Sequence, residues 1–229
     1  MKFFLLTLSV LLTGAHSYAQ TSQWTVKTGE SIKEVLGDSV IFKYPQFMPG
    51  SVYYKDNTAS AARFNLNLVN GEMQFINPLE DTMTVADERT IQYIVIKTDT
   101  FYYDKVYVDL IHGNATAKLG KVVAIVPGDI QKVGGYGQAS SSSAINTYSY
   151  FSSGGQIARL NQDKVIKLHK RTIYFIGDNF DHFLPVNKKN IYSMFTKQEP
   201  AIDNFIKENK IALDKEADLV KLIDFLEKG

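Results

Sequence analysis

The clearest pattern in this chain is an alternation of apolar and polar positions. From Ala61 to Ile76, Ala62, Phe64, Leu66 and Leu68 alternate with Arg63, Asn65 and Asn67. Met73 and Phe75 then alternate with Glu72 and Gln74. Period two is the repeat of a strand with one buried face, so each half reads as a strand. Asn70-Gly71 lies between the halves and tolerates the positive φ angles of a type I′ turn, which predicts a β-hairpin.

Similar runs continue from about Trp24 to Phe183. Thr90 to Lys97 is rich in β-branched residues, with Ile91, Tyr93 and Val95 expected on one face and Ile94 and Ile96 on the other. Phe101–Tyr103, Val106–Ile111 and Leu119–Val126 extend the series, and Lys164–Leu168 with Thr172–Ile176 reads as a second hairpin. No helical period separates these strands. The expected fold is therefore mainly β, an antiparallel sandwich or barrel, and not a parallel α/β sheet.

The period changes after Asp181. Asn187 is placed to cap a short helix holding Ile191, Tyr192 and Phe195, and Pro200 to open a second with Ile202, Phe205 and Ile206. Asp214 is expected to cap a third. There Leu219, Leu222, Ile223 and Leu226 recur at i, i+3, i+4 and i+7, which makes one apolar stripe. A C-terminal α-helical appendage, residues 184–229, is expected to pack this stripe on a β-rich domain, residues 20–183.

The N-terminus carries a different signal. Lys2 precedes an apolar run from Phe3 to Leu12, and Ser17-Tyr18-Ala19 places small residues where a signal peptidase reads. Residues 1–19 are expected to be a signal peptide, too short in its apolar part to span a bilayer. Cleavage before Gln20 leaves 210 of 229 residues, enough to bury a core unaided. The mature chain is expected in the periplasm, at the cell surface or outside the cell, with no transmembrane segment.

Composition narrows the chemistry. With Lys2 removed, 24 basic residues face 24 acidic ones, which argues against nucleic acid as a partner. No cysteine is present, so there is no thiol nucleophile, thiolate metal site or lipid-bearing Cys. His112, His169 and His182 are far apart in sequence, and neither a P-loop nor a strand-to-helix GxGxxG occurs. No cofactor or metal is expected.

Gly37-Asp38-Ser39 resembles the opening motif of SGNH-type secreted esterases and lipases, which end in an Asp and a His two residues apart. Here Asp178 and Asp181-His182 have the wrong spacing, and no oxyanion-hole motif is visible. A serine hydrolase using Ser39 and His182 is thus the alternative reading, and turn chemistry the main one. Asp178, Asp181 and His182 read as a polar turn in preference to a metal site, with Asp178 accepting backbone N–H bonds. Glu80-Asp81 and Asp87-Glu88 are paired carboxylates that read as solvated loop acids.

Gly134 to Ser153 stands apart, with glycines, four serines at 140–143 and interspersed aromatics. It reads as a long loop. Tyr136, Ser140, Ser141, Tyr148 and Tyr150 are the candidate binding residues, because Tyr and Ser make adaptable contacts at low entropic cost. The run Arg63 to Asn67 through Gly71 to Phe75, with Tyr174-Phe175, Lys188-Lys189 and Glu216 to Leu219, resembles a segment pattern in secreted Gram-negative proteins of unknown function. That resemblance implies an exported β-rich fold with a helical tail and transfers no catalytic residue. The expected function is a non-enzymatic binding or structural module, with a protein or glycan partner at the cell envelope.

Overall fold

A computed structural model describes residues 23–27, 29–128 and 166–228. The first predicted hairpin is present. Strand β3 (Ala59–Asn67) pairs antiparallel with β4 (Glu72–Ile76), from Arg63 opposite Ile76 to Asn67 opposite Glu72. The turn is longer than two residues. The Asn67 carboxamide oxygen accepts the N–H groups of Val69 and Asn70, and Gly71, at φ 71°, donates to the Asn67 carbonyl. A side-chain cap inside the turn thus replaces the expected type I′ geometry.

The remaining strands are β1 (Gln23–Val26), β2 (Met48–Tyr54), β5 (Thr82–Thr84), β6 (Ile91–Ile96), β7 (Asp99–Tyr103), β8 (Tyr107–Gly113), β9 (Lys118–Pro127), β10 (Ile166–Gly177) and β11 (Phe183–Pro185). All pair antiparallel in one sheet of order β1-β10-β9-β8-β7-β6-β2-β3-β4-β5, with β11 also on β10. The fold class is therefore mainly antiparallel β with C-terminal helices, as the alternation predicted. The sheet is open but strongly curled. Four strands separate β3 from β9 in this order, yet the Ile125 N–H of β9 donates to the Leu68 carbonyl just beyond β3 at 2.8 Å.

Two readings are corrected by pairing. Lys164–Leu168 and Thr172–Ile176 do not form a hairpin: β10 is one strand, and His169, Lys170 and Arg171 continue the ladder opposite Val126, Ile125 and Ala124. The intervening residues include no Gly, Pro or Asn to turn the chain. Ile91 does not share a face with Tyr93 and Val95. A bulge shifts the register between Tyr53 and Tyr54, and Ile91 joins Ile94 and Ile96 in the core.

Three apolar clusters hold the sheet. Phe64, Leu66 and Met73 from one end of the strand order pack with Phe101 from its middle and with Ile125 and Leu168 from the other end, so this face is the inside of the curl. Two short helices, α1 (Ile32–Leu36) and α2 (Asp38–Ile41), add Leu36 and Ile41 to that cluster. Gly37, at φ 69°, makes the break between them. Burying each such side chain contributes about 1.5–3 kcal/mol relative to exposure.

The second cluster is the helical appendage. Helix α3 (Lys188–Met194) is capped by Asn187, whose side chain accepts the Asn190 N–H at 2.9 Å. Helices α4 (Glu199–Glu208) and α5 (Glu216–Leu226) follow. Leu219, Leu222, Ile223 and Leu226 are all buried against Leu119 and Ile176 of the sheet, as the stripe predicted. Asp214 is not the cap of α5. Lys215 holds that position, and the nearby Asp218 carboxylate accepts the Ala212 N–H at 3.2 Å. The third cluster, around Val108, Val122, Phe175 and Phe183, lies on the outer face. Among the described residues no helix is long and apolar enough to cross a membrane.

Candidate functional site

The inner face of the sheet carries a polar belt between the first two clusters. Strand alternation places it. Along β9, Leu119, Lys121, Val123 and Ile125 share this face; along β10, Leu168, Lys170, Thr172, Tyr174 and Ile176 do. Leu119 and Ile176 lie under the helices, and Ile125 and Leu168 in the curl. Lys121, Lys170 and Thr172 fall in between, with Asp109 directly opposite Lys121 in the β8–β9 ladder. Asp99 and Phe101 of β7 continue the face, Phe101 lying opposite Asp109.

Lys43 and Tyr44 enter this belt from outside the strands. The segment after α2 is tied to the end of β3. Leu68 N–H donates to the Ile41 carbonyl at 2.7 Å, and Lys43 N–H to the Leu66 carbonyl at 3.0 Å. Asn65 completes the tie. Its side-chain oxygen accepts the Tyr44 N–H at 3.0 Å, and its Nδ2 donates to the Tyr44 carbonyl at 2.9 Å. Asn65 belongs to the polar half of the hairpin alternation but is buried, because its carboxamide supplies the partners that the Tyr44 backbone needs.

Held this way, Lys43 Nζ donates to Asp109 and lies 3.1 Å from Asp99, over the ring of Phe101 at 4.7 Å. Tyr44 Oη–H donates to Asp99 at 2.6 Å. The two carboxylates respond in opposite ways. Burial pushes Asp109 above the usual carboxylate range, against the pull of Lys43. Burial also acts upward on Asp99, but the Tyr44 hydrogen bond and Lys43 together hold it below that range. Burial and then Asp99 push the Tyr44 hydroxyl well up, so it stays a neutral donor.

Lys43, Asp99 and Asp109 line a cleft of about 370 Å³ with Lys121, Lys170 and Thr172, walled by Leu66, Leu68 and Val123. Its charges are three lysines and two aspartates. Both aspartates are engaged by Lys43. Lys121 pairs with Glu216 at the start of α5, at 3.7 Å, and its charge also acts on the facing Asp109. Lys170 is exposed and forms no ion pair or side-chain hydrogen bond among the described residues. The lining therefore carries one more cation than anion, with Lys170 at the mouth beside Thr172, whose hydroxyl forms no hydrogen bond among the described residues.

The residues singled out from sequence lie elsewhere. Tyr136, Ser140, Ser141, Tyr148 and Tyr150 are outside the described residues. Ser39 is exposed on α2 and makes no hydrogen bond to His182, whose Nδ1 lies 3.8 Å from Asp104. Asp178 accepts the N–H groups of Phe180 at 2.8 Å and His182 at 3.0 Å, which is the expected polar turn. Asp181 pairs with Lys118 at 2.9 Å. Among the described residues no three His, Cys, Asp or Glu side chains are grouped to hold a metal ion. Glu80 pairs with Arg63, away from the cleft.

Lys43, Asp99, Asp109, Lys121 and Lys170 were not singled out by sequence. One signal for them exists. Asp109 and Lys121 interrupt apolar strand runs at positions whose neighbours two residues away are buried or half-buried, and inward charge is rare without a partner. No family model matches the chain, and no curated protein and no solved structure matches it. Those comparisons provide no link to exported Gram-negative proteins.

Proposed function

We propose that this protein is a non-enzymatic binding module of the cell envelope whose ligand is a small anion, a carboxylate or phosphate compound, held in the inner cleft. The observation that carries the reading is the cationic excess of the lining, three lysines to two aspartates: Lys43 is held by both aspartates, Lys121 by Glu216 and the facing Asp109, and Lys170 has no ion pair among the described residues. Lysine ammonium groups beside a hydroxyl recognise anions by charge-assisted hydrogen bonds. The Lys43–Asp99–Asp109–Tyr44 cluster supports this by fixing the floor of the cleft, since every one of its polar groups is already partnered. A mostly preformed pocket with a few convergent polar groups is the usual form of a small-molecule site. The leader pattern at residues 1–19 supports an exported location, and N-terminal sequencing of secreted or periplasmic material should begin at Gln20.

The binding test is a titration of isotopically labelled protein with inorganic phosphate and, separately, with succinate. Amide shifts at Lys121, Lys170 and Thr172 are expected, and the Lys121→Ala/Lys170→Ala double variant should weaken binding at least about tenfold, the loss expected for charge-assisted bonds. Unchanged affinity in the double variant, or no shift with either anion, would sink the proposal.

A further inference from the structure

The outer face of the same sheet carries a second arrangement, built on aromatic rings. Tyr53 of β2 lies opposite Tyr93 of β6, with ring centroids 4.7 Å apart. Tyr93 and Tyr102 of β7 follow at 6.1 Å, then Tyr102 and Phe183 of β11 at 5.6 Å. Tyr53, Tyr93 and Tyr102 come from the adjacent strands β2, β6 and β7, while Phe183 reaches the row from β11, which pairs with β10. Exposure grades along the row: Tyr53 is 36% exposed, Tyr93 and Tyr102 are half-buried, and Phe183 is buried.

The row leads into a cleft of about 360 Å³ beside Tyr102. Its polar groups are Asn114, Asn179, Lys118 and Asp181. Lys118 is consumed internally, by Asp181 at 2.9 Å and the Asp178 carbonyl at 3.1 Å, so this cleft has no surplus charge. The two carboxamides are less committed. The Asn114 oxygen caps the Thr116 N–H at 2.6 Å, while its amide nitrogen and the whole Asn179 side chain form no hydrogen bond among the described residues. The Tyr53, Tyr93 and Tyr102 hydroxyls likewise form none among those residues.

We infer that this face is a binding site for a neutral oligosaccharide. Three properties converge on that ligand class. Aromatic faces pack against the C–H faces of sugar rings. Carboxamides offer both donor and acceptor to hydroxyl groups that are themselves both. The lysine–aspartate pair cancels charge, so nothing here favours an anion, unlike the inner cleft. The ligand lies along the Tyr53–Tyr93–Tyr102 row with its end directed at Asn114 and Asn179.

The test is a titration of labelled protein with cellohexaose, chitohexaose and maltohexaose. Shifts are expected at Tyr53, Tyr93, Asn114 and Asn179 with at least one of the three. Tyr53→Ala and Asn179→Ala change surface side chains, and each should weaken that binding about tenfold, the loss expected for one aromatic or hydrogen-bonding contact. Lys121→Ala/Lys170→Ala should leave it unchanged, which separates this site from the anion cleft. No shift with any of the three sugars, or binding unaltered in the Tyr53→Ala/Asn179→Ala double variant, would overturn the inference.

Discussion

Lys43 and Lys118 are both drawn below the surface, one on each face of the sheet, and their partners differ. Lys118 is the more buried, its side chain 8% exposed against 22% for Lys43. Yet Lys118 leans on a turn: the Asp178 carbonyl and Asp181, whose carboxylate is 37% exposed. Lys43 is gripped by carboxylates on two neighbouring strands, and Asp109 is only 13% exposed. A missing cation matters by what it leaves behind. Without Lys118, Asp181 can turn to water. Without Lys43, a buried and a half-buried negative charge face each other with only the more distant charge of Lys121 to offset them.

The largest expected effect follows from that contrast. Lys43→Met should cost about 3–4 kcal/mol of stability, in the range for breaking a buried pair, whereas Lys118→Met should cost about 1 kcal/mol, the scale of one hydrogen-bonded partner. Urea denaturation of both variants measures the difference. Equal costs would mean that burial of the lysine, not of its partners, sets the scale.

Asn65→Leu comes next, at about 2 kcal/mol, because it leaves the Tyr44 N–H and carbonyl without partners in a buried site. The same denaturation series reports it. Loss of this tie should also loosen Lys43, so amide hydrogen exchange at Lys43 and Tyr44 should speed up while that at Lys118 stays as in the parent chain. Matched changes on both faces would show that the two lysines are not independently held.

The smallest effect is in the pH dependence. The folded value of Asp99 lies below its unfolded one, so its stabilisation is present above about pH 4 and is lost as pH falls below that. Asp99→Asn should make the acid fall of the urea midpoint shallower. Asp109 has the opposite sign: its folded value is raised, so protonation relieves a burial cost as pH falls, and Asp109→Asn should make the acid fall steeper. Parallel slopes in the two variants would contradict the opposed shifts.

Much of the fold was legible in the chain. The hairpin of β3 and β4, the strands from Ile91 to Pro127, the Asn187 cap and the α5 stripe all follow from local rules of period and capping. The misreadings share a cause. Asn65 and Ile91 end up inside through a tie to a distant segment and a bulge, and β10 runs through His169–Arg171 because β9 continues beside it. The candidate sites were less legible, since most of their charges sit within strands and a local pattern does not show which cleft they share.

By itself the sequence determined which segments are strands and helices and which of their faces are apolar, because those properties depend on neighbours within a few residues. Only the tertiary structure decided that the sheet curls until Leu68 meets Ile125, and that Lys43, Asp99, Asp109, Lys121 and Lys170 then share one cleft. Coulomb pairing and cavity shape act through space, and register and curl set those distances.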